Sequence, residues 1–176
     1  MIARDRLGDL VAEGFDLAIR FGEPRPSTLV ARKLLDTRVV TVASPAYLKK
    51  AGRPIHPSEL GEGNHRLIDF RNPETGRAYE WAFRQGRKEV EINSNAQLLL
   101  SDVATIHAVC LAGYGIAQLL ELGIESSIAS GRLEVVFPDW VDEQFLLYAL
   151  HPSRHYLPPK TRAFLDFVIA TIKSPT

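Results

Sequence analysis

Short apolar runs punctuated by glycine and proline alternate along this chain with segments of helical period, and each can be assigned to an element. The first, residues 15–21, is bounded by Gly14 and by Gly22-Glu23-Pro24. An unbroken apolar run of that length reads as a strand buried on both faces, as in a parallel sheet. Ahead of it, Asp5 is placed to cap a short helix through Val11 and Ala12, which Gly14 ends in the left-handed conformation glycine adopts at little cost. After the breakers Glu23-Pro24-Arg25-Pro26-Ser27, extended patterns resume at 29–35 and 39–43.

The second of these runs straight into Ser44-Pro45-Ala46-Tyr47-Leu48. Serine as N-cap and proline in the first turn predict a helix over 45–50, stopped by Gly52. Residues 53–60 read as loop with a brief helical turn. Strands are predicted at 66–70, 79–84 and 88–92, joined as antiparallel hairpins by the turns Asn72-Pro73-Glu74-Thr75-Gly76 and Gln85-Gly86-Arg87. Leu98-Leu99-Leu100 gives a strand that ends at Ser101-Asp102, the cap of a helix over 103–112. Gly113 stops that helix and residues 115–119 form a core strand. There follow a helix over 121–129, an extended piece at 133–137, a strand at 144–150 and a closing helix over 159–172. The apolar stripe of that last helix is placed at Ala163, Phe164, Phe167, Val168 and Ile172.

Strands that hand over to capped helices build an open α/β sheet, and such sheets gather strand ends and helix N-termini at a crevice where small ligands bind. The pattern therefore points to a sensor of small molecules. Neither a repeat nor a Gly/Ser linker divides the chain, so two lobes would have to be joined by strands, outward near 38–42 and back near 146–150. That organisation puts residues 1–40 and 147–176 in one lobe and 41–146 in the other. Two crossings make a hinge, and hinged lobes close on ligands.

Composition narrows the class of partner. The 21 basic and 21 acidic side chains cancel, which removes the field that draws a domain to phosphate polymers, so this stretch is not expected to touch DNA. A single cysteine, Cys110, excludes an internal disulfide framework and fits a reducing compartment. The N-terminus lacks the pattern of a signal peptide, and no apolar run approaches the ~20 residues of a membrane span. A cytoplasmic protein without a membrane partner is the expectation.

Four words of the sequence carry a resemblance. Asp9-Leu10-Val11-Ala12-Glu13-Gly14-Phe15-Asp16-Leu17-Ala18-Ile19-Arg20, Ala43-Ser44-Pro45-Ala46-Tyr47-Leu48, Leu111-Ala112-Gly113-Tyr114-Gly115-Ile116-Ala117 and Ser130-Gly131-Arg132-Leu133 resemble the effector-binding domain of LysR-type transcriptional regulators. They stand in the family's order and roughly its spacing, over nearly the whole chain. The resemblance implies a type II periplasmic-binding-protein-like α/β fold, with two Rossmann-like lobes around a cleft joined by two crossover strands. It also implies a first lobe lacking its opening β-α-β unit, and a winged helix-turn-helix, absent here, through which alone DNA would be bound. A small effector, often a carboxylate or aromatic acid, would bind between the lobes of a homodimer or homotetramer. A free solute-binding protein of a transport system, which shares the fold, is the alternative.

Candidate effector contacts follow from helix N-termini, whose unpaired N–H groups and dipole favour anions. These are Ser44 and Pro45 at one helix and Ser101, Asp102 and Val103 at another. Asp102 complicates the second, since a capping carboxylate satisfies those donors itself, which leaves Ser44 the cleaner choice. By resemblance, the loop after the first strand adds Arg20 and Phe21, with Arg20 a fork for a carboxylate or else a surface or ion-pairing residue. Both serines are equally readable as plain caps.

Catalysis finds little footing. Cys110 follows His107 by three residues on a helix, as a thiol and its base would, but it lies near a C-terminus among apolar residues and reads as a buried core thiol. His151 and His155 have a metal spacing only if helical, and Pro152 argues for a loop. Trp81 and Phe83 share a strand face and, with Trp140, read as core rather than a stacking platform. Asp139, Asp142 and Glu143 read as a solvated turn. With neither a phosphate-binding loop nor a nucleophile elbow in the sequence, no enzyme, no metal and no cofactor is expected.

Overall fold

Where the apolar pattern predicts two strands, the chain forms one. In a computed structural model, which describes residues 13–24, 27–72, 75–94, 96–140, 144–152 and 157–173, strand β2 (Val30–Ala43) runs unbroken for 14 residues. The polar Asp36-Thr37 between its apolar halves stays extended, with Asp36 paired to Lys33 at 2.6 Å. The helix expected over 5–12 lies outside the described residues. The chain divides into two compact units, residues 1–37 with 145–176, and residues 38–144.

In unit 1, β9 (Gln144–His151) lies between β2 and β1 (Ala18–Phe21). The first strand is not the buried parallel strand its composition predicts. It pairs antiparallel with β9, Ala18 opposite Leu150 and Phe21 opposite Leu147, and its Ile19 is 38% exposed. Apolar content alone does not report the direction of a neighbour. Helix α4 (Pro159–Lys173) also departs from expectation. Its buried positions are Thr161 and Leu165, whereas Phe164 and Phe167 are 42% and 67% exposed. The segment is apolar on more than one side, so periodicity leaves the phase of the buried stripe open.

Unit 2 takes up β2 from Arg38 onward and adds α1 (Pro45–Ala51), a 3-10 turn (Pro57–Glu62), β3 (Leu67–Phe70), β4 (Trp81–Gln85) and β5 (Lys88–Ile92). Then come β6 (Leu98–Leu100), α2 (Val103–Leu111), β7 (Ile116–Leu120), α3 (Glu125–Ala129) and β8 (Glu134–Val135). Its sheet runs β2-β7-β3-β6, with β8 also on β2. β3 is parallel to both β6 and β7, while β2 is antiparallel to β7. Alternation along β3 sends Leu67 to a core with Trp81, Phe83, Tyr47 and Phe137, and Ile68 to another with Val42, Ile106 and Cys110.

β4 and β5 make the expected antiparallel hairpin, Trp81 opposite Ile92, and it packs Trp81 and Phe83 as core. The preceding turn does not extend β3 into a hairpin with β4. Among the described residues the pairing stops at the bridge between Arg71 and Ala78, because β3 is already flanked by β6 and β7. Helix α3 begins four residues later than its pattern suggests. Gly123 at φ +92° interrupts the run, and Glu121 turns outward to Arg38.

Candidate functional site

The register of unit 2 separates the two helix N-termini that the sequence brings to one crevice. Ala43, the last residue of β2, lies opposite Ile116 at the start of β7, and Leu67 opens β3 beside the same residue. Leu100 pairs with Phe70 at the far ends of β6 and β3, three residues further along, roughly 10 Å at ~3.3 Å per residue. Ser44 and Ser101 therefore lie beyond opposite ends of the sheet.

At the Ser44 end, the serine acts as a cap and is buried. Its Oγ accepts from Tyr47 N at 3.3 Å, its carbonyl from Leu48 N at 3.1 Å, and Pro45 fills the first turn. It is 3% exposed, and a Cβ on Gly113 would sit 3.4 Å from its Oγ. Gly115 is pressed so closely on the carbonyl of Arg66 that a Cβ would lie 2.4 Å from it. The word Gly113-Tyr114-Gly115 thus packs closely against this end of the sheet, and Ser44 Oγ serves as the helix cap.

The opposite end is open. Asp102 caps α2, its Oδ2 accepting from Thr105 N at 2.7 Å and from Thr105 Oγ1 at 2.5 Å. These bonds hold its carboxyl below the usual carboxylate range, so the cap keeps its charge and opposes an anion there. Ser101 and Val103 are exposed beside it. Beyond β3, Gly76 N donates to Asn72 O at 2.8 Å, and the Arg71–Ala78 bridge sets Tyr79 against Phe70, rings stacked at 5.9 Å and 10°. Arg71 N donates to Leu100 O at 2.7 Å, which ties this turn to the end of β6.

Beside the stacked pair runs an open groove of about 650 Å³ lined by Asn72, Thr75, Arg77, Ala78, Tyr79 and Glu80. Arg71 Nε donates to Gly76 O at 3.3 Å, holding a second cation over the turn. None of these residues stands out as a site in the sequence. The one available signal is the Asn72–Gly76 turn, which folds an aromatic at 79 back over one at 70.

In unit 1, Arg20 and Phe21 end β1. Arg20 Nε donates to the carbonyl of Phe21 at 3.3 Å, and no carboxylate is seen paired with it among the described residues.

The nucleophile reading is answered by geometry. Cys110 is fully buried, its Sγ directed at Val42 O (3.5 Å) and Gly115 O (3.6 Å), and burial pushes its thiol up to about 12. His107 Nε2 lies 3.1 Å from Ser127 Oγ, while the Cys110 thiol is directed at two backbone carbonyls. His155, Asp142 and Glu143 lie outside the described residues. Among the described residues no cluster of three His, Cys, Asp or Glu is placed to hold a metal, and no helix is long and apolar enough to cross a membrane.

Comparison with known proteins gives this geometry a context. The model of the LysR substrate binding domain family matches residues 2–173. The chain is 34% identical over 170 residues to the HTH-type transcriptional regulator PtxR of Pseudomonas aeruginosa, covering 94% of this chain and 52% of that protein. It is also 34% identical over 170 residues to the uncharacterized HTH-type transcriptional regulator YcaN of Escherichia coli, covering 93% and 53%. Among solved structures, full-length AphB, a virulence activator of Vibrio cholerae, superimposes with a TM-score of 0.81 at 26% identity, over 97% of this chain and 56% of that one. The regulatory domain of CrgA from Neisseria meningitidis gives 0.77 at 28%, over 92% and 77%. The chain thus spans about half the length of the curated relatives it matches.

Proposed function

This chain belongs to the LysR substrate-binding domain family, of periplasmic-binding-protein-like α/β fold, and from that membership we propose that it senses an aromatic carboxylate on behalf of a LysR-type transcriptional regulator. Regulators of this family bind small effectors and multimerise. The family assignment favours this reading over a free solute-binding protein. In the whole regulator, effector binding here would bias a homodimer or homotetramer and, through it, a helix-turn-helix on DNA. A cytoplasmic setting goes with that role. Control of this kind requires the effector to prefer one state of the regulator over the other, since equal affinity shifts nothing.

The observation that carries the ligand class is the Phe70–Tyr79 stack beside Arg71 and Arg77. An aryl ring extends an offset stack, and guanidinium is the planar partner of a carboxylate. Ser101 and Val103 at the start of α2 supply a hydroxyl and an apolar contact on the same end of the sheet. Asp102 sets the orientation by repelling the carboxylate toward the arginines. In unit 1, the Arg20 guanidinium and the Phe21 ring are assigned the same chemistry.

Thermal-shift and calorimetric titration with benzoate, cyclohexanecarboxylate and benzyl alcohol tests this. Benzoate should bind more tightly than either analogue, and Tyr79→Ala or Arg77→Ala should each weaken it about tenfold or more. Equal response to all three compounds, or unchanged binding by both variants, removes the aromatic-acid reading.

A further inference from the structure

At the Ser44 end of unit 2, away from the groove, the structure holds a second and smaller pocket, open to solvent along Gly61, Glu62, Gly63 and Gln97. It measures about 200 Å³ and is lined by Leu60, Gly61, Glu62, Gly63, His65, Leu67 and Gln97. That is below the ~300–1,000 Å³ of drug-sized sites and about seven times the ~30 Å³ share of one water.

The hydrogen bonds around it fix which groups remain to be used. Tyr47 Oη accepts from Arg66 N at 2.8 Å and lies 3.4 Å from His65 Nδ1, a contact in which we assign the phenol as donor and Nδ1 as acceptor. That tautomer leaves Nε2 of His65 as an N–H donor with no protein partner among the described residues. His65 is 7% exposed, and burial holds its pKa below the usual histidine value against the opposing charge of Glu59, so the imidazole is neutral at pH 7. Gln97 Oε1 is occupied by Leu67 N at 3.2 Å, which orients the amide and leaves its NH2 group to donate. Glu62, exposed at the mouth and 3.4 Å from Asn64 Nδ2, supplies an acceptor. Leu60 and Leu67 form the apolar wall.

We propose that this cavity is a second small-molecule site, taking an uncharged aliphatic carboxamide whose carbonyl oxygen accepts from His65 Nε2–H and Gln97 Nε2–H and whose amide N–H donates to Glu62. The combination selects by charge. A carboxylate offers the carbonyl's acceptors but meets Glu62 without a proton to give, and an ammonium satisfies Glu62 but opposes two donors. A hydrocarbon offers no acceptor to either donor and displaces the water that would otherwise reach them.

Isobutyramide, isobutyrate and isobutylammonium have nearly one shape and differ in these groups alone. Long-range 1H–15N spectra of the histidine side chains, with His65 assigned through His65→Gln, read the site directly and are blind to binding elsewhere. The His65 Nε2 resonance should move saturably with isobutyramide and far less with either charged analogue. Gln97→Glu keeps the acceptor for Leu67 N but removes the donor, and should weaken isobutyramide binding about tenfold or more with Tm unchanged. The proposal fails if the resonance does not move, if it moves equally with all three compounds, or if Gln97→Glu binds like the wild type.

Discussion

Gly115 shows how much a single position can decide. Its backbone is not in the left-handed region, so alanine there meets a steric obstacle only, the Arg66 carbonyl 2.4 Å from the new Cβ. Both partners are main chain in a parallel strand pair and neither can swing away. Gly115→Ala should cost at least ~2 kcal/mol of unfolding free energy by urea denaturation, at the upper end of overpacking effects. Asp69 gives a pH signature. It is 1% exposed on β3, Ser94 Oγ donates to its Oδ2 at 2.5 Å, and its Oδ1 has no hydrogen-bond partner among the described residues. Burial pushes its carboxyl up, against hydrogen bonds from Ser94 and Trp81 that lower it. The folded protein thus holds a proton that the unfolded chain releases, and stability falls as pH rises from about 4, the ordinary carboxylate value, to the raised one. Denaturation curves across that window should show this loss in the wild type and not in Asp69→Asn. Ser44 as a cap was legible from sequence because a cap is local, three residues from cause to effect. The orphaned oxygen of Asp69 was not, since it depends on which strand covers β3.

Among elements, β2 and the turn after β7 are joined by a bidentate pair. Arg38 Nε and Nη2 reach the two carboxylate oxygens of Glu121, each at 2.7 Å, and Glu121 N donates to Arg38 O at 2.9 Å. The side chains are 43% and 33% exposed, so solvent screens them. A double-mutant cycle with Arg38→Ala and Glu121→Ala should give a coupling of about 1 kcal/mol that shrinks with salt. The Arg38 hydrogen bond holds the Glu121 carboxyl below its usual range, so the contribution is present at neutral pH and fades as pH falls through that lowered value. Separated by 83 residues, this pair was invisible to a reading of local pattern. Helix α4 was legible as a helix but not in its orientation. Leu165→Ala should cost ~2–5 kcal/mol, as a fully buried leucine does, whereas Phe167→Ser should change stability by less than ~0.5 kcal/mol. Urea denaturation of the two variants separates the buried stripe from the exposed one.

For the molecule as a whole, strand–helix alternation and four short sequence words were enough to indicate the family and its α/β class. The placement of the proposed site was only half readable. Helix N-termini can be seen in sequence, but the end of the sheet on which each falls is set by strand direction, and β2 runs antiparallel to β7 and β8. Both hydrophobic clusters fall within residues 38–144, a single stretch of chain. A polypeptide of those residues should therefore unfold cooperatively in urea, whereas residues 1–37 alone should show no transition. The same asymmetry sets an order during synthesis. Unit 2 is complete once Gln144 has cleared the ribosome, while residues 1–37 wait for residues 145–176 before they can close their own sheet. Of the two units, the one whose residues enclose the other in sequence is the later to close.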